Sequence, residues 1–152
     1  MMTVYRLSNL RRADDLSGTG ARLGGGRWNK IGESVLYTAS SRALASLEVM
    51  VHTTSIDLPN YYVMLALMIP EDSMQTVSLD QLPKGWDESE PPKSVKAITE
   101  AWIAENRYLV LKVPSAVVTG DYNFLLNPAH PRMNEVKIID KQPFRFDHRL
   151  GR

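Results

Sequence analysis

Short apolar and β-branched runs recur along the chain between turn-forming residues, and this pattern predicts a protein built largely from strands. The predicted strands cover residues 3–7, 34–38, 61–69, 75–79, 108–113, 135–139 and 144–146. Helices are expected at residues 41–52, after a capping Ser40 or Ser41, and at residues 93–106. Because strands and helices do not alternate regularly, we expect an α+β fold with a mostly antiparallel or split sheet.

The first predicted helix carries a carboxylate among its apolar positions. Glu48 shares the helix face of Leu44, Leu47 and Val51, although an ionised carboxylate is costly to bury without a partner. It therefore either borders the apolar face or points into a polar cleft. His52 falls one turn later on the same side, where it can complement the helix dipole or reach a ligand.

A glycine-rich run at residues 18–32 precedes the second predicted strand. Arg27 follows three consecutive glycines, so its guanidinium could reach a phosphate or carboxylate together with exposed backbone N–H groups. The alternative is a solvated arginine in a surface turn. No Gly-Lys-Ser/Thr closes the run, which excludes a nucleotide-binding P-loop. Tyr37, at the end of the next strand, is either a core residue or a ring that stacks on a flat ligand.

A third group of residues follows the strand predicted at 108–113. Pro114 removes a backbone donor, which predicts broken pairing and places Ser115 at an irregularity. Ser115 could equally satisfy a local turn, and no Gly-x-Ser-x-Gly elbow marks it as a hydrolase nucleophile. Asn127-Pro128 and His130-Pro131 are typical of turns.

Composition narrows the function classes. The 152 residues suit one domain and include 18 Lys+Arg, 17 Asp+Glu and no cysteine. A formal charge of +1 lacks the basic excess expected of nucleic-acid binding. The absence of cysteine and the wide separation of three histidines argue against a metal site, and the longest apolar run is too short to span a membrane. We expect a cytoplasmic protein.

Several separated motifs stand in an order that resembles the RES domain family, the toxin half of bacterial RES–Xre toxin–antitoxin pairs. These motifs are Tyr5-Arg6, Gly20-Ala21-Arg22, residues 25–29, Leu36-Tyr37, residues 43–48, residues 113–115 and residues 123–131. The family is named after an arginine, a glutamate and a serine, and these map to Arg27, Glu48 and Ser115. Arg132 departs from the acidic residue expected at that position.

The resemblance implies an ADP-ribosyltransferase-like fold over residues 1–152 that acts on NAD⁺ without a metal. It implies that Arg27 holds pyrophosphate or ribose, that Tyr37 stacks on nicotinamide, and that Glu48 binds ribose hydroxyls. Ser115 joins these three as a catalytic residue. The residues expected to contact NAD⁺ are Arg27, Tyr37, His52, Ser115 and Asn123.

The expected function is a toxin that arrests growth by depleting NAD⁺ and that a helix-turn-helix antitoxin of the Xre type neutralises. The acceptor of the ADP-ribose stays open among water, phosphate and a protein side chain, because the same Arg, Tyr and Glu serve each, so a protein ADP-ribosyltransferase is the nearest alternative. A non-catalytic binding module is a further alternative, one that would use the glycine-rich loop with exposed Trp28 and Trp86. A ribonuclease is disfavoured, because the chain lacks a basic excess and a convincing histidine pair.

Overall fold

The computed structural model describes residues 1–52 and 61–151 as an α+β fold. The strands are β1 Met2–Asn9, β2 Leu36–Ala39, β3 Tyr62–Ile69, β4 Met74–Thr76, β5 Val110–Pro114, β6 Tyr122–Leu126 and β7 Lys137–Phe144. The α-helices are α1 Thr19–Gly24, α2 Arg42–His52 and α3 Ser94–Glu105. Short 3₁₀ turns occupy Leu10–Arg12, Leu79–Gln81, Pro131–Glu135 and His148–Gly151.

The seven described strands form one sheet in the order β4-β5-β6-β2-β1-β3-β7. Every neighbouring pair is antiparallel except β4 and β5, which are parallel, so the prediction of a mostly antiparallel sheet is confirmed. β1 and β3 pair along their whole length, whereas β1 and β2 are joined only at Tyr5 and Ala39. The sheet is therefore split between β1 and β2.

The two longer helices cover different halves of this split sheet. Helix α2 begins after Ser41, whose hydroxyl accepts the Leu44 N–H, and it packs Leu44 and Ala45 against β1, β2 and β3. Helix α3 packs Val95 and Trp102 against the β5–β6 half. Both helices were predicted from the spacing of their apolar residues.

The buried face of α2 differs from the predicted one. Leu44 is buried, but Leu47 and Val51 are exposed, so the expected stripe of these three residues is wrong. The helix is turned so that Ala45, Glu48 and the residues beside them face the split in the sheet. Only a short apolar patch on α2 is therefore core.

Several strand predictions also need correction. The strand expected at 75–79 ends at Thr76, because Ser78 and Gln81 form a capping box that starts a 3₁₀ turn. One strand, β7 over Lys137–Phe144, replaces the two strands expected at 135–139 and 144–146, and residues 135–136 and 145–146 lie outside it. Helix α1 and strand β6 were not predicted. Among residues 1–52 and 61–151, no helix is long and apolar enough to cross a membrane.

Candidate active site

A cleft opens where β1 and β2 diverge beyond their single pairing. Two connected cavities, of about 250 Å³ and about 490 Å³, lie along it, and the larger one falls in the range of small-molecule sites. Both are bordered by residues of β1, β2, α2 and β6. The shared polar residues are Arg6, Tyr37, Glu48, His52 and Asn123. Three of the four predicted catalytic residues line this cleft, namely Arg27, Tyr37 and Glu48.

The fourth predicted residue, Ser115, stands behind Glu48. Its hydroxyl donates to Glu48 Oε1 at 3.0 Å and accepts the N–H groups of Val117 and Val118 at 3.1 and 3.0 Å. Ser115 is buried, and its own N–H donates to Asp121 in the turn before β6. The backbone bonds fix the hydroxyl rotor, so the serine proton is directed at the carboxylate and holds Glu48 toward the cleft.

Arg27 borders the larger of these two cavities, on the glycine-rich segment. Its Nη1 donates to the backbone carbonyls of Trp86 at 2.8 Å and Glu88 at 2.6 Å, in the proline-rich loop at residues 83–92. A guanidinium carries five N–H donors, so these bonds engage only part of its capacity. Arg27 also borders a third cavity, of about 810 Å³, which has Lys93 and Lys96 on its far side.

Tyr37 ties the glycine-rich segment to the sheet. Its hydroxyl donates to Asn29 Oδ1 at 2.6 Å and accepts the Trp28 N–H at 3.2 Å. A Cβ on Gly26 would lie 2.7 Å from that hydroxyl, closer than real Cβ contacts, so glycine is required there. Burial raises the pKa of Tyr37 above its ordinary value, which keeps the phenol neutral. The ring borders both cavities of the cleft.

Asn123 and His52 complete the predicted set, and both border the two cavities of the cleft. Asn123 is buried on β6, and its Nδ2 donates to the Thr38 carbonyl at 3.3 Å. His52 ends α2, is exposed, and borders all three cavities around Arg27 and Glu48. The structure thus gathers all six predicted site residues around one cleft, with Ser115 in a supporting position.

The sequence interpretation did not assign Arg6 to the site. It lies on β1 and borders both cavities of the cleft, and its Nη1 donates to the Tyr37 carbonyl at 3.0 Å across the split. Its Nε is buried without a hydrogen-bond partner among the described residues. Burial lowers the pKa of Arg6, and the charge of Asp15 opposes that shift. The sequence signal that could have identified this residue was its place next to Tyr5 in the Tyr5-Arg6 motif.

Other residues singled out in the sequence have structural roles. Trp28 is buried and packs on half-buried Trp86 with ring centroids 6.2 Å apart, which contradicts the expectation that both are exposed. His130 caps a 3₁₀ turn by accepting the Arg132 N–H. Arg132, the departure from the family pattern, forms an ion pair with Asp72 at 2.9 Å. These contacts build loops rather than the cleft.

The polar residues shared by both cavities, together with Arg27, supply one carboxylate, two guanidinium groups, a phenol ring, an imidazole and a carboxamide. Such a set suits a ligand that carries phosphates together with a flat ring and a sugar. Among residues 1–52 and 61–151, no three His, Cys, Asp or Glu side chains are grouped as a metal site.

The fold has a solved counterpart. The structure most informative for comparison is described as the crystal structure of the M. tuberculosis MbcT-MbcA toxin-antitoxin complex. It superposes with a TM-score of 0.76 at 20% identity, over 94% of this chain and 84% of that chain. At this identity the likeness shows the fold.

Sequence comparison gives the family. This chain is 40% identical over 144 residues to a Sphingobium protein named "Prs ADP-ribosylating toxin", which covers 92% of this chain and 89% of that protein. It is 37% identical over 154 residues to "Toxin Res" of Photorhabdus laumondii, over 98% and 97% of the two chains. A family model described as the RES domain matches residues 3–147. The chain therefore belongs to the RES domain family, and these curated relatives are named toxins.

Proposed function

We propose that this RES domain protein is the toxin of a toxin–antitoxin pair and that it cleaves the nicotinamide–ribose bond of NAD⁺. The observation that supports this most is the Glu48 carboxylate, held by the Ser115 hydroxyl in a cleft bordered by Tyr37. A half-buried carboxylate with a fixed donor behind it is a preorganised negative charge.

The chemistry needs such a charge. When the bond between the nicotinamide nitrogen and the anomeric carbon breaks, the electron pair leaves with neutral nicotinamide and positive charge develops on the ribose. Glu48 stabilises that oxocarbenium-like state and binds the ribose hydroxyls. Because the leaving group is neutral, the site needs little general-acid assistance, in keeping with the neutral Tyr37 phenol.

The remaining residues bind and orient the substrate. The Tyr37 ring stacks on nicotinamide, and Asn123 and His52, which border the same cavity, offer hydrogen bonds to the substrate. Arg27 holds the pyrophosphate with the donors that its contacts to Trp86 and Glu88 leave over. Ser115 acts through Glu48 as a positioning residue.

Two kinds of acceptor for the ADP-ribose are compatible with this cleft: a small molecule, either water or phosphate, and a protein side chain. With water, a bond forms from the water oxygen to the anomeric carbon, one proton is released, and free ADP-ribose and nicotinamide result. The name of the Sphingobium relative favours a second candidate, transfer to a protein side chain. The two differ in the fate of the label of adenine-labelled NAD⁺.

The experiment incubates the purified chain with adenine-labelled NAD⁺, alone and with a lysate, beside a Glu48→Gln variant. Loss of bulk NAD⁺ by the purified wild-type chain supports consumption with a small acceptor. Labelled protein with little bulk loss supports protein ADP-ribosylation. Neither product, in a folded preparation freed of any partner, would overturn the proposal.

We further propose that the antitoxin, of the Xre helix-turn-helix type, neutralises the toxin by covering this cleft. An open NAD⁺ site must be blocked for the host to grow, and the fold's solved counterpart was crystallised as a toxin–antitoxin complex. An antitoxin carboxylate could pair with Arg27 and imitate a substrate phosphate. NAD⁺ titrated against the co-purified complex should remain intact; full consumption would exclude occlusion.

A further inference from the structure

The third cavity, which Arg27 borders, is surrounded mainly by charged side chains. It has a volume of about 810 Å³, in the range of small-molecule sites. One side of it is formed by residues spaced three or four apart, which therefore share one face of α3 and of the residue just before that helix. These residues are Lys93, Lys96, Ala97 and Glu100. This face lies opposite the one that packs on the β5–β6 half of the sheet.

The charges around this cavity do not cancel. Lys30 and Glu100 form an ion pair with Nζ and Oε2 3.2 Å apart, so these two residues compensate each other. Lys93 and Lys96 form no ion pair within residues 1–52 and 61–151, and Lys96 is half-buried. The cavity therefore has two uncompensated ammonium groups on one wall, which suits a compact anion such as a phosphate.

This basic cavity is continuous with the cleft. Gly26, Arg27 and His52 border both the basic cavity and the larger cavity of the cleft. In the proposed function Arg27 holds the pyrophosphate, which joins the two halves of the dinucleotide. Glu48 and Tyr37 take the nicotinamide half and border the cleft. The space on the other side of Arg27 is therefore available to the adenosine half.

We propose that the basic cavity binds the 2′-phosphate on the adenosine ribose of NADP⁺, so that the protein consumes NADP⁺ at least as efficiently as NAD⁺. This inference rests on the proposed function and extends its substrate class. A carboxylate at the adenosine ribose favours a free 2′-hydroxyl, whereas a cation there accommodates a 2′-phosphate. Lys93 and Lys96 supply the cations, and of the carboxylates that border the cavity in the described part of the chain only Glu90 lacks an ion pair.

The chemical step is the same for both dinucleotides. The bond between the nicotinamide nitrogen and the anomeric carbon breaks, and its electron pair leaves with nicotinamide. With water as the acceptor, the water oxygen bonds to the anomeric carbon and one proton is released. The products from NADP⁺ are nicotinamide and 2′-phospho-ADP-ribose, so the 2′-phosphate takes part in binding alone.

The competing explanation is that the lysines attract an acidic segment of a protein acceptor. The concave shape of the cavity, and its direct continuity with the cleft at Arg27, favour a phosphate of the substrate itself. The two explanations predict different losses when the lysines are replaced. A substrate-phosphate site changes the choice between NADP⁺ and NAD⁺, whereas an acceptor-binding surface changes the labelling of protein and leaves that choice unaltered.

The test measures kcat/KM for nicotinamide release from NADP⁺ and from NAD⁺ by the full chain. The ratio of the two values should be one or more in the wild type. It should fall about tenfold when Lys93→Met and Lys96→Met are combined, because methionine retains an unbranched side chain but loses the charge that binds phosphate. Glu90→Gln should raise the ratio. Lys84→Met changes an exposed lysine of the loop at 83–92 that does not border the cavity, and should leave the ratio unchanged.

A second measurement does not depend on turnover. Calorimetry with Glu48→Gln protein compares the binding of adenosine 2′,5′-bisphosphate with that of adenosine 5′-monophosphate, which differ only by the 2′-phosphate. The Glu48→Gln protein should prefer the bisphosphate. Adding Lys93→Met and Lys96→Met should remove that preference, and adding Lys84→Met should preserve it.

The outcomes separate this inference from the function on which it rests. Consumption of NAD⁺ without NADP⁺, or a ratio that the paired lysine substitutions leave unchanged in folded protein, overturns the inference and leaves the proposed function intact. Reduced labelling of protein by the paired variant, with the ratio unchanged, assigns the cavity to an acidic acceptor instead. If the wild-type chain releases nicotinamide from neither dinucleotide, the proposed function itself fails.

Discussion

The two arginines of the cleft differ in almost everything except their side chain. Arg6 stands on a fully paired strand and borders both cavities of the cleft, with one backbone acceptor and a buried Nε that has no partner in the described part of the chain. Arg27 stands on a glycine-rich segment and borders the larger of these two cavities, with two backbone acceptors from the loop at 83–92. One guanidinium is carried by a paired strand and has a buried nitrogen without an acceptor among the described residues, whereas the other holds two acceptors at Nη1 and is carried by a glycine-rich segment.

This comparison shows that the cleft is built from two kinds of support, regular secondary structure and loops. Strand β1 and helix α2 present Arg6 and Glu48 from regular elements whose positions are set by the core. Arg27 is held by hydrogen bonds between loops, which open at lower free energy than a paired strand. The cleft therefore combines residues on regular elements with a residue on a segment that can adjust to a ligand.

The largest effect on activity should come from Glu48, which helix α2 presents to the cleft. Replacing Glu48 by Gln keeps its shape and its bond from Ser115 but removes the charge that stabilises the oxocarbenium-like state. We expect kcat for NAD⁺ cleavage to fall by about 10²–10³-fold, with little change in melting temperature. Glu105→Gln, an exposed change on α3, is the matched control. Near-wild-type turnover by folded Glu48→Gln protein would remove Glu48 from the mechanism.

Arg27, on the glycine-rich segment, should lose activity even when its substitution preserves the positive charge. Arg27→Lys retains a cation but cannot hold the Trp86 and Glu88 carbonyls while forming a two-pronged contact with phosphate. We expect kcat/KM to fall about tenfold to a hundredfold, nearly as far as in Arg27→Ala, mainly through KM. Full activity of the lysine variant would contradict the pyrophosphate role, and Arg22→Lys provides the control at an exposed position.

The residues that border the cleft were not equally predictable from the sequence. Arg27 could be found locally from the glycine-rich run, and so could Glu48 from its helical spacing to Leu44, although Leu47 and Val51 of the expected apolar stripe are exposed. Arg6 could not, because a strand residue acquires its meaning from the split between β1 and β2, which depends on pairing across the whole chain. For the same reason the pattern did not predict β6, which becomes a central strand only through long-range partners.

Loss of the hydrogen bond from Ser115 to Glu48 should have an intermediate effect on activity. Ser115→Ala removes the donor to Glu48 and leaves the Val117 and Val118 N–H groups without their acceptor. We expect about 1–3 kcal/mol of lost stability and a fall in kcat smaller than that of Glu48→Gln. A further loss of kcat when Ser115→Ala is added to Glu48→Gln would show that Ser115 acts independently. Ser46→Ala, which loses a hydroxyl bonded within α2, serves as control.

The smallest effect on activity should come from loss of the Tyr37 hydroxyl, which joins β2 to the glycine-rich segment. Tyr37→Phe keeps the ring but loses the bonds to Asn29 and Trp28, so we expect about 1 kcal/mol of lost stability and a loss of kcat/KM of only a few-fold. Tyr37→Ala should lose far more activity, because the stacking surface is gone. Equal, severe losses in folded Phe and Ala variants would instead make the hydroxyl essential.

A double-mutant cycle with Gly26 sharpens that comparison. Gly26→Ala places a methyl 2.7 Å from the Tyr37 hydroxyl and 2.9 Å from Asn29 Oδ1, so the glycine-rich segment must shift away from the sheet. Removing the hydroxyl with Tyr37→Phe relieves the closer of these two contacts. The double variant should therefore be more stable than the sum of the two single losses predicts, by thermal or urea unfolding. Strictly additive losses would mean that the glycine-rich segment shifts independently of the Tyr37 hydroxyl. Tyr37 would then not be the residue that anchors this segment to the sheet.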